Sequence, residues 1–162
     1  MKTWYSCKVK YSKEQENGML KQVTEAYLVD ALSYTEAESR IYEAMERDIR
    51  GEFAVTQITK TNISEIIKEE NESAEDWYKC KIVYSTVDGD SDKEVTITNY
   101  FLAAADNITD SIEKTKEFLN SMIVPYSIPS VSLTKIMDVF EYGEERIPPN
   151  LKPMSEITEQ AE

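Results

Sequence analysis

Two stretches of the chain alternate between core-forming and more polar positions with the two-residue period of a β-strand. The first covers residues 4–12 and the second covers residues 77–85. Within each stretch the hydrophobic positions share one predicted face: Tyr5, Cys7, Val9 and Tyr11 in the first, Tyr78, Cys80, Ile82 and Tyr84 in the second. Each stretch therefore predicts a strand with one buried face and one mixed face.

The two stretches also resemble each other in sequence. The motif Trp-Tyr-x-Cys-Lys begins at Trp4 and again at Trp77, 73 residues later, and each copy continues to a Tyr-Ser pair. A repeat over this distance predicts an internal duplication. Any surface that one half presents would then be presented again by the other half.

Each predicted opening strand is followed by a hairpin, a helix and a further strand. Asn17-Gly18 and Asp88-Gly89 are typical of hairpin turns, and the returning strands are predicted at residues 23–29 and 97–103. The helices are predicted to begin at a capping box on Thr35 and at Thr109. Helical spacing predicts matching buried stripes: Ala37, Ile41, Ala44, Met45 and Ile49 in the first helix, and Ile112, Thr115, Phe118, Leu119, Met122 and Ile123 in the second.

The summed pattern predicts an α+β fold built from two ββαβ units that share one core. We expect the first repeat at residues 1–67, a polar linker at 68–76, the second repeat at 77–140 and an acidic, disordered tail at 141–162. About six strands would form one mainly antiparallel sheet, with both helices on one face. The last strands match least well, because Pro125 and Pro129 predict a loop or an edge position in the second unit.

Composition and charge limit the classes of function. The chain has 162 residues, 31 acidic and 18 basic side chains, no histidine and a net charge of -13. A field of this sign repels phosphate backbones and anionic lipids, so we expect neither direct nucleic-acid binding nor a membrane partner. No apolar run approaches the length of a membrane span, and a cytoplasmic location is expected.

No motif in the chain indicates catalysis. Without histidine, the Cys7 and Cys80 thiols have no imidazole base; we expect both to be buried thiols, with a disulfide between them as the alternative. The segment Asp88–Asp92 resembles the start of a calcium loop, but Lys93 and Asn99 stand where such a loop needs Gly and Glu. We therefore predict no enzyme activity, no cofactor and no metal site.

The most specific candidate for a binding site is the mixed face of the two opening strands. Its residues combine an aromatic plane with nearby ammonium groups: Trp4, Lys8, Lys10, Trp77, Lys79 and Lys81. Such a pair of patches would suit a partner protein or a planar anion such as a nucleotide. The alternative is that each Trp packs in the core while the lysines extend to solvent.

With the repeat, the Trp-Tyr-x-Cys-Lys openings and the acidic tail, the chain resembles a family of short acidic proteins of unknown function from gut-type bacteria and their phages. The resemblance covers residues 3–140 and also includes the hairpin, a Tyr-Leu or Phe-Leu strand and a Thr-capped helix. It implies a role during phage or mobile-element growth, and it brings no catalytic residues.

We expect a non-enzymatic protein-interaction module that binds a protein partner, with homo-oligomerisation left open. The first alternative is a small-ligand binding or sequestering protein that uses the Trp and Lys face. The second is an acidic mimic of nucleic acid, because the first helix carries a run of carboxylates from Glu36 to Glu52.

Overall fold

The computed structural model describes residues 3–69 and 76–143. The chain is α+β, and the order ββαββ runs twice through the described ranges. The elements are β1 (Thr3–Glu14), β2 (Leu20–Ala31), α1 (Tyr34–Asp48), β3 (Phe53–Lys60), β4 (Ile63–Ile67), β5 (Asp76–Val87), β6 (Glu94–Ala105), α2 (Ile108–Phe118), β7 (Tyr126–Leu133) and β8 (Ile136–Phe140). The predicted linker at 68–76 and tail at 141–162 fall mostly on residues outside these ranges.

The eight strands of the described ranges form two four-stranded mixed sheets. The first sheet has the order β3-β1-β2-β8, and the second has the order β4-β6-β5-β7. Three strands of each sheet are antiparallel, while β8 runs parallel to β2 and β4 runs parallel to β6. The parallel strand of each sheet therefore comes from the other half of the chain.

This arrangement corrects the prediction of about six strands in one mainly antiparallel sheet. The expected single last strand of each half is two strands joined by a short link. In the first link, the amide and the hydroxyl of Thr61 both donate to the Trp4 carbonyl, at 2.9 and 2.7 Å. Thr134 makes the same two bonds to the Trp77 carbonyl. Beyond each threonine the chain leaves its own sheet, and its last strand joins the other sheet. The alternation of hydrophobic residues does not indicate which sheet that strand joins.

The prediction that both helices share one sheet face is also wrong. Helix α1 packs on the first sheet and α2 packs on the second. The opposite faces of the two sheets meet in a common cluster of buried residues, to which both halves contribute: Trp4, Leu28, Ile63, Trp77, Leu102, Ala104 and Val139. The layers therefore run helix, sheet, sheet, helix, because each sheet has one face covered by its helix and the other by the second sheet.

The helices begin slightly earlier than predicted. The Ser33 hydroxyl accepts a hydrogen bond from the Glu36 amide at 3.2 Å and caps α1. The Asn107 side chain accepts from the Asp110 amide at 2.8 Å and caps α2. The predicted caps, both threonines further along the chain, are wrong because Ser33 and Asn107 offer the same acceptor chemistry sooner after the preceding strand.

The predicted buried stripe is confirmed for α1 at Ala37, Ile41, Ala44 and Met45. It is only partly correct for the second helix. Thr115 and Leu119 are buried, but Phe118 is 47% exposed and Ile123 is 98% exposed. Ile123 lies beyond α2, which ends at Phe118 after 11 residues whereas α1 has 15. Phe118, the last residue of the helix, makes an edge contact with the Phe101 ring, at 5.5 Å between ring centres.

Both predicted hairpins are confirmed. Gly18 has a φ of 79°, in the left-handed region that favours glycine. In the second hairpin the positive φ falls on Asp92, at 53°, and not on Gly89. The Asp88 carboxylate accepts from the Asp90 amide at 3.2 Å and from the Ser91 hydroxyl at 3.1 Å. The segment that resembles a calcium loop therefore uses its first carboxylate to close the turn.

Candidate functional site

Both tryptophans of the predicted binding face are buried. Trp4 is 5% exposed and Trp77 is 7% exposed, within the cluster between the two sheets. Their rings therefore pack in the core, which is the alternative that the sequence left open, and present no aromatic plane to solvent in this structure.

The four lysines of that face lie further along the same two strands. Lys8 and Lys10 are exposed on β1, whereas Lys79 and Lys81 are partly buried on β5. The Lys79 ammonium donates to the Asn62 side chain at 2.8 Å and lies 4.6 Å from the centre of the Tyr100 ring. The two pairs of lysines belong to different sheets, and binding by them stays a prediction.

Both cysteines are buried free thiols, as predicted. Cys7 belongs to the core under α1 and Cys80 to the core of the second sheet, where the Thr115 hydroxyl lies 3.5 Å from its sulfur. Burial raises the pKa of the Cys7 thiol to about 12. The Cys7 thiol is therefore protonated at neutral pH and is a poor nucleophile.

A buried ion pair joins the end of β2 to α1. Asp30 is 2% exposed, and the Arg40 guanidinium donates to both its carboxylate and its backbone carbonyl. The same guanidinium lies 3.4 Å from the Phe140 carbonyl, and the Tyr142 amide donates to the Asp30 carboxylate at 2.8 Å. These four hydrogen bonds tie β2, α1, the end of β8 and the chain after it together.

Two cavities open beside this ion pair. One, of about 280 Å³, follows the flank of α1 and has a charged lining that includes Glu36, Arg40, Glu43, Arg47 and Glu141. The other, of about 290 Å³, is lined by Asp30, Ala31, Leu32, Glu36 and Tyr142. Because Glu36 and Tyr142 line both, the cavities adjoin. We call this combined feature the α1–β8 cleft.

The mouth of the α1–β8 cleft carries two large exposed side chains, Leu32 at 72% and Tyr142 at 71% exposure. The Arg40 guanidinium lies 5.3 Å from the centre of the Tyr142 ring, within the range of a cation–π contact. The cleft therefore combines an apolar mouth with a floor of paired charges. An apolar and aromatic centre with a polar surround is also the composition typical of protein interfaces.

The equivalent position of the second half is built differently. Lys114 occupies the place of Arg40 and donates to the Ala104 carbonyl at 3.0 Å, with the Asp110 carboxylate 3.3 Å away. A hydrogen bond from the Asp106 amide, and then Lys114, hold the pKa of Asp110 below its usual value. Because Ala104 stands where the first half has Asp30, the second half lacks the buried carboxylate.

A second polar cluster lies on the helix-covered face of the first sheet. The Glu25 carboxylate accepts from the Tyr27 hydroxyl at 2.6 Å and from the Tyr11 hydroxyl at 3.1 Å. The Tyr27 ring stacks on Phe140 at 5.7 Å. Burial, and then Glu25, raise the pKa of both phenols. The cluster helps to hold β8, which comes from the other half of the chain, on the first sheet.

The sequence did not single out Asp30 or Arg40. Arg40 lies within the predicted first helix, inside the run of carboxylates from Glu36 to Glu52 but outside its predicted buried stripe, and Asp30 follows the predicted returning strand. One usable signal was present, because Asp30 falls on the same strand face as Leu28 and is therefore a carboxylate at a position expected to be buried. Tyr142 lay in the predicted tail and carried no such signal.

A comparison of the sequence with protein-family models gives a match over most of the chain. A model described as a domain of unknown function (DUF4494) matches residues 3–142. The chain belongs to the DUF4494 family. This confirms the expected membership of a family of unknown function, although it does not show a bacterial or phage origin. The match includes both halves of the DUF4494 chain and, in the α1–β8 cleft, Asp30, Leu32, Arg40 and Tyr142.

A comparison with curated proteins finds no match for this DUF4494 chain. Neither helix of its described ranges is long and apolar enough to cross a membrane. Within residues 3–69 and 76–143, no group of three or more cysteine and carboxylate side chains is arranged to hold a metal ion.

Proposed function

We propose that this DUF4494 protein is a non-enzymatic interaction module that holds a partner protein in the α1–β8 cleft. The observation that carries the proposal is the pair of exposed side chains, Leu32 and Tyr142, at the mouth of two adjoining cavities. Large apolar and aromatic side chains surrounded by a polar rim are typical of binding hot spots. The Asp30–Arg40 pair fixes the floor, which lowers the ordering cost of binding.

The charge of the cleft indicates the chemistry of the partner. Carboxylates at Glu36, Glu43 and Glu141 line it, and the net charge of the whole chain is -13. The Arg40 guanidinium is already matched by Asp30. The partner would therefore place an apolar side chain between Leu32 and Tyr142, with a lysine or arginine beside it.

An affinity pull-down from the native host, with paired variants, tests this proposal. We expect Leu32→Asp to reduce recovery of the partner about tenfold, because a desolvated apolar anchor is replaced by a charge. Val87→Asp is the matched control, since Val87 is 64% exposed but lies at the tip of the β5–β6 hairpin. Equal recovery of the partner by the two variants, or failure to recover any specific partner at low salt, would count against binding at the cleft.

The two alternative functions predict different results. A small-ligand protein that stacks nucleotides on its tryptophans is less well supported, because Trp4 and Trp77 are buried. A rise in melting temperature with one nucleotide of a panel would favour it. An acidic mimic of nucleic acid would bind a basic partner in a strongly salt-dependent way, and Leu32→Asp would leave that binding unchanged.

We also infer that the two halves arose by duplication. The inference is supported by the repeated Trp-Tyr-x-Cys-Lys motif, the repeated order ββαββ and the matching bonds of Thr61 and Thr134. A cytoplasmic setting during phage or mobile-element growth is the part of the proposal that rests on the sequence resemblance alone.

A further inference from the structure

We propose a second binding site, separate from the α1–β8 cleft, at the outer edge of β3. There an extended segment of a positively charged partner protein would add as a further strand to the first sheet. β3 is the outermost strand on that side, and no strand of the described ranges pairs with its outer edge. An edge of this kind presents backbone N–H and C=O groups to an incoming strand.

The direction of the backbone groups follows from the link after β3. The Thr61 amide donates to the Trp4 carbonyl, so the backbone N–H of residue 61 points toward β1. Backbone N–H and C=O groups alternate in direction along an antiparallel strand. Those of Thr59 therefore also point toward β1, whereas those of Ile58 and Lys60 point away from it, to the outer edge. These are the groups that an added strand would pair.

A notch of about 110 Å³ lies beside this edge, between β3 and α1. It is lined by Tyr34, Glu38 and Tyr42 of the helix and by residues 55–58 of the strand. Tyr34 is 53% exposed and Tyr42 is 39% exposed, and the Tyr42 ring lies 5.6 Å from the ring of Phe53. A strand added to β3 would place alternate side chains beneath the two tyrosines, which supplies specificity beyond the backbone bonds.

The corresponding edge of the second sheet is less suited to strand addition. It is formed by β7, which is interrupted by Pro129, a residue with no amide proton. This confirms the prediction of a loop or an edge for the proline stretch. Ile108 and Lys116 stand where α1 has Tyr34 and Tyr42, so the aromatic side of the notch is also missing there.

Charge indicates a partner protein as the occupant in preference to a second copy of the chain. Each copy carries a net charge of -13, so two copies repel each other. Glu38 lines the notch and would attract a lysine or arginine of the incoming strand. The proposal therefore specifies an extended segment that alternates apolar and basic side chains.

Amide hydrogen exchange in the intact protein tests the proposal, with a peptide as long as β3 that alternates valine and lysine as the probe. In the free protein we expect fast exchange at Ile58 and Lys60 and slow exchange at Thr59. Saturating peptide should slow exchange at Ile58 and Lys60 about tenfold. Tyr34→Ala should weaken peptide binding about tenfold, as expected for loss of an aromatic anchor.

Two control variants make the test specific. Ile108→Ala changes an apolar residue of similar exposure, 50%, at the equivalent position of α2 and should leave binding unchanged. Leu32→Asp, which disrupts the α1–β8 cleft, should also leave it unchanged, so the two proposed sites can fail independently.

Three results would overturn the proposal. The first is absence of peptide binding, or exchange at Ile58 and Lys60 that does not respond to bound peptide. The second is an equal loss of binding in Ile108→Ala, which would indicate attraction by net charge alone. The third is slowing of the two amides when the protein is concentrated without peptide, which would assign the edge to a second copy of the chain.

Discussion

Asp30 is a carboxylate at a strand position that the fold buries. It lies on the same face of β2 as Leu28, which packs in the cluster between the sheets. A buried charge is tolerated only when it is paired and hydrogen-bonded. Arg40 supplies the cation, and both Arg40 and the Tyr142 amide donate to one oxygen of the carboxylate, Oδ1. The same contacts form the floor of the α1–β8 cleft, so the side chains that stabilise this part of the fold also form the proposed binding site.

Replacement of Arg40 should therefore destabilise the folded protein. We expect Arg40→Ala to lower the free energy of unfolding by about 3 kcal/mol, because it leaves the buried Asp30 carboxylate without its cation. Urea denaturation measures this change. Arg47→Ala, an exposed position on the same helix, is the control and should change stability by about 0.5 kcal/mol or less. Similar effects of the two variants would contradict the role of the ion pair.

Tyr27 should make the protein sensitive to alkali. Burial and Glu25 raise the pKa of Tyr27 above its ordinary value of 10.0, so the unfolded chain loses this proton first as the pH rises. The stabilisation is fully present below pH 10 and is lost as the pH rises above it. Tyr27→Phe should make the alkaline decline shallower in melting experiments from neutral to high pH.

Some alkaline decline should persist in Tyr27→Phe. Burial raises the pKa of Cys7 from 9.0 to about 12, and this acts in the same direction between those two pH values. An identical pH dependence in the wild type and in Tyr27→Phe would show that the Tyr27 phenol is not protected by the fold.

At the scale of elements, the links after β3 and β7 decide the topology. Each link contains a threonine whose amide and hydroxyl both donate hydrogen bonds to the backbone carbonyl of a tryptophan. The amide of the residue two positions later then donates to the threonine hydroxyl at 3.3 Å, in both halves. These bonds anchor the chain at the point where it changes sheet.

Thr61→Val tests this anchor. Valine keeps the shape and the strand preference of threonine but removes the hydroxyl, so we expect a loss of about 1 kcal/mol in unfolding free energy. Thr134→Val should cost a similar amount because its geometry is the same. Thr59→Val, at an exposed position of β3, should be close to neutral. A neutral Thr61→Val would mean that packing alone holds the crossover.

Most elements could be predicted from the sequence because their signals are local. Alternation located β1 and β5, turn residues located the hairpins, and helical spacing located α1. The caps were misplaced because serine, threonine and asparagine provide equivalent acceptors within a few residues. The crossovers were missed because β4 and β8 have the same hydrophobic pattern whichever sheet they join.

At the scale of the whole molecule, the exchange of strands makes each half depend on the other. β4 of the first half completes the second sheet, and β8 of the second half completes the first sheet. Phe140 packs in the core under α1, and Ile67 packs in the core of the second sheet. Neither half contains all the strands of the sheet that its helix covers.

Fragments of the chain should therefore complement each other. We expect residues 1–69 and 76–143, expressed together, to purify as one complex with a cooperative melting transition. Each fragment alone would expose the apolar face that carries Trp4 or Trp77 and should not melt cooperatively as a monomer. Size-exclusion chromatography with calorimetry distinguishes these outcomes. A monomeric fragment with a sharp transition would show that one half folds without the other.

Local sequence patterns were enough to predict the first two strands of each half, the hairpins, the two helices, the buried thiols and membership of a family without a known function. The tertiary structure decided which sheet each last strand joins, and whether Trp4 and Trp77 face solvent or core. It also assembled the α1–β8 cleft from Asp30, Arg40 and Tyr142. These features depend on contacts between residues far apart in the chain, and the period of a hydrophobic pattern records only that a face is buried, not what buries it.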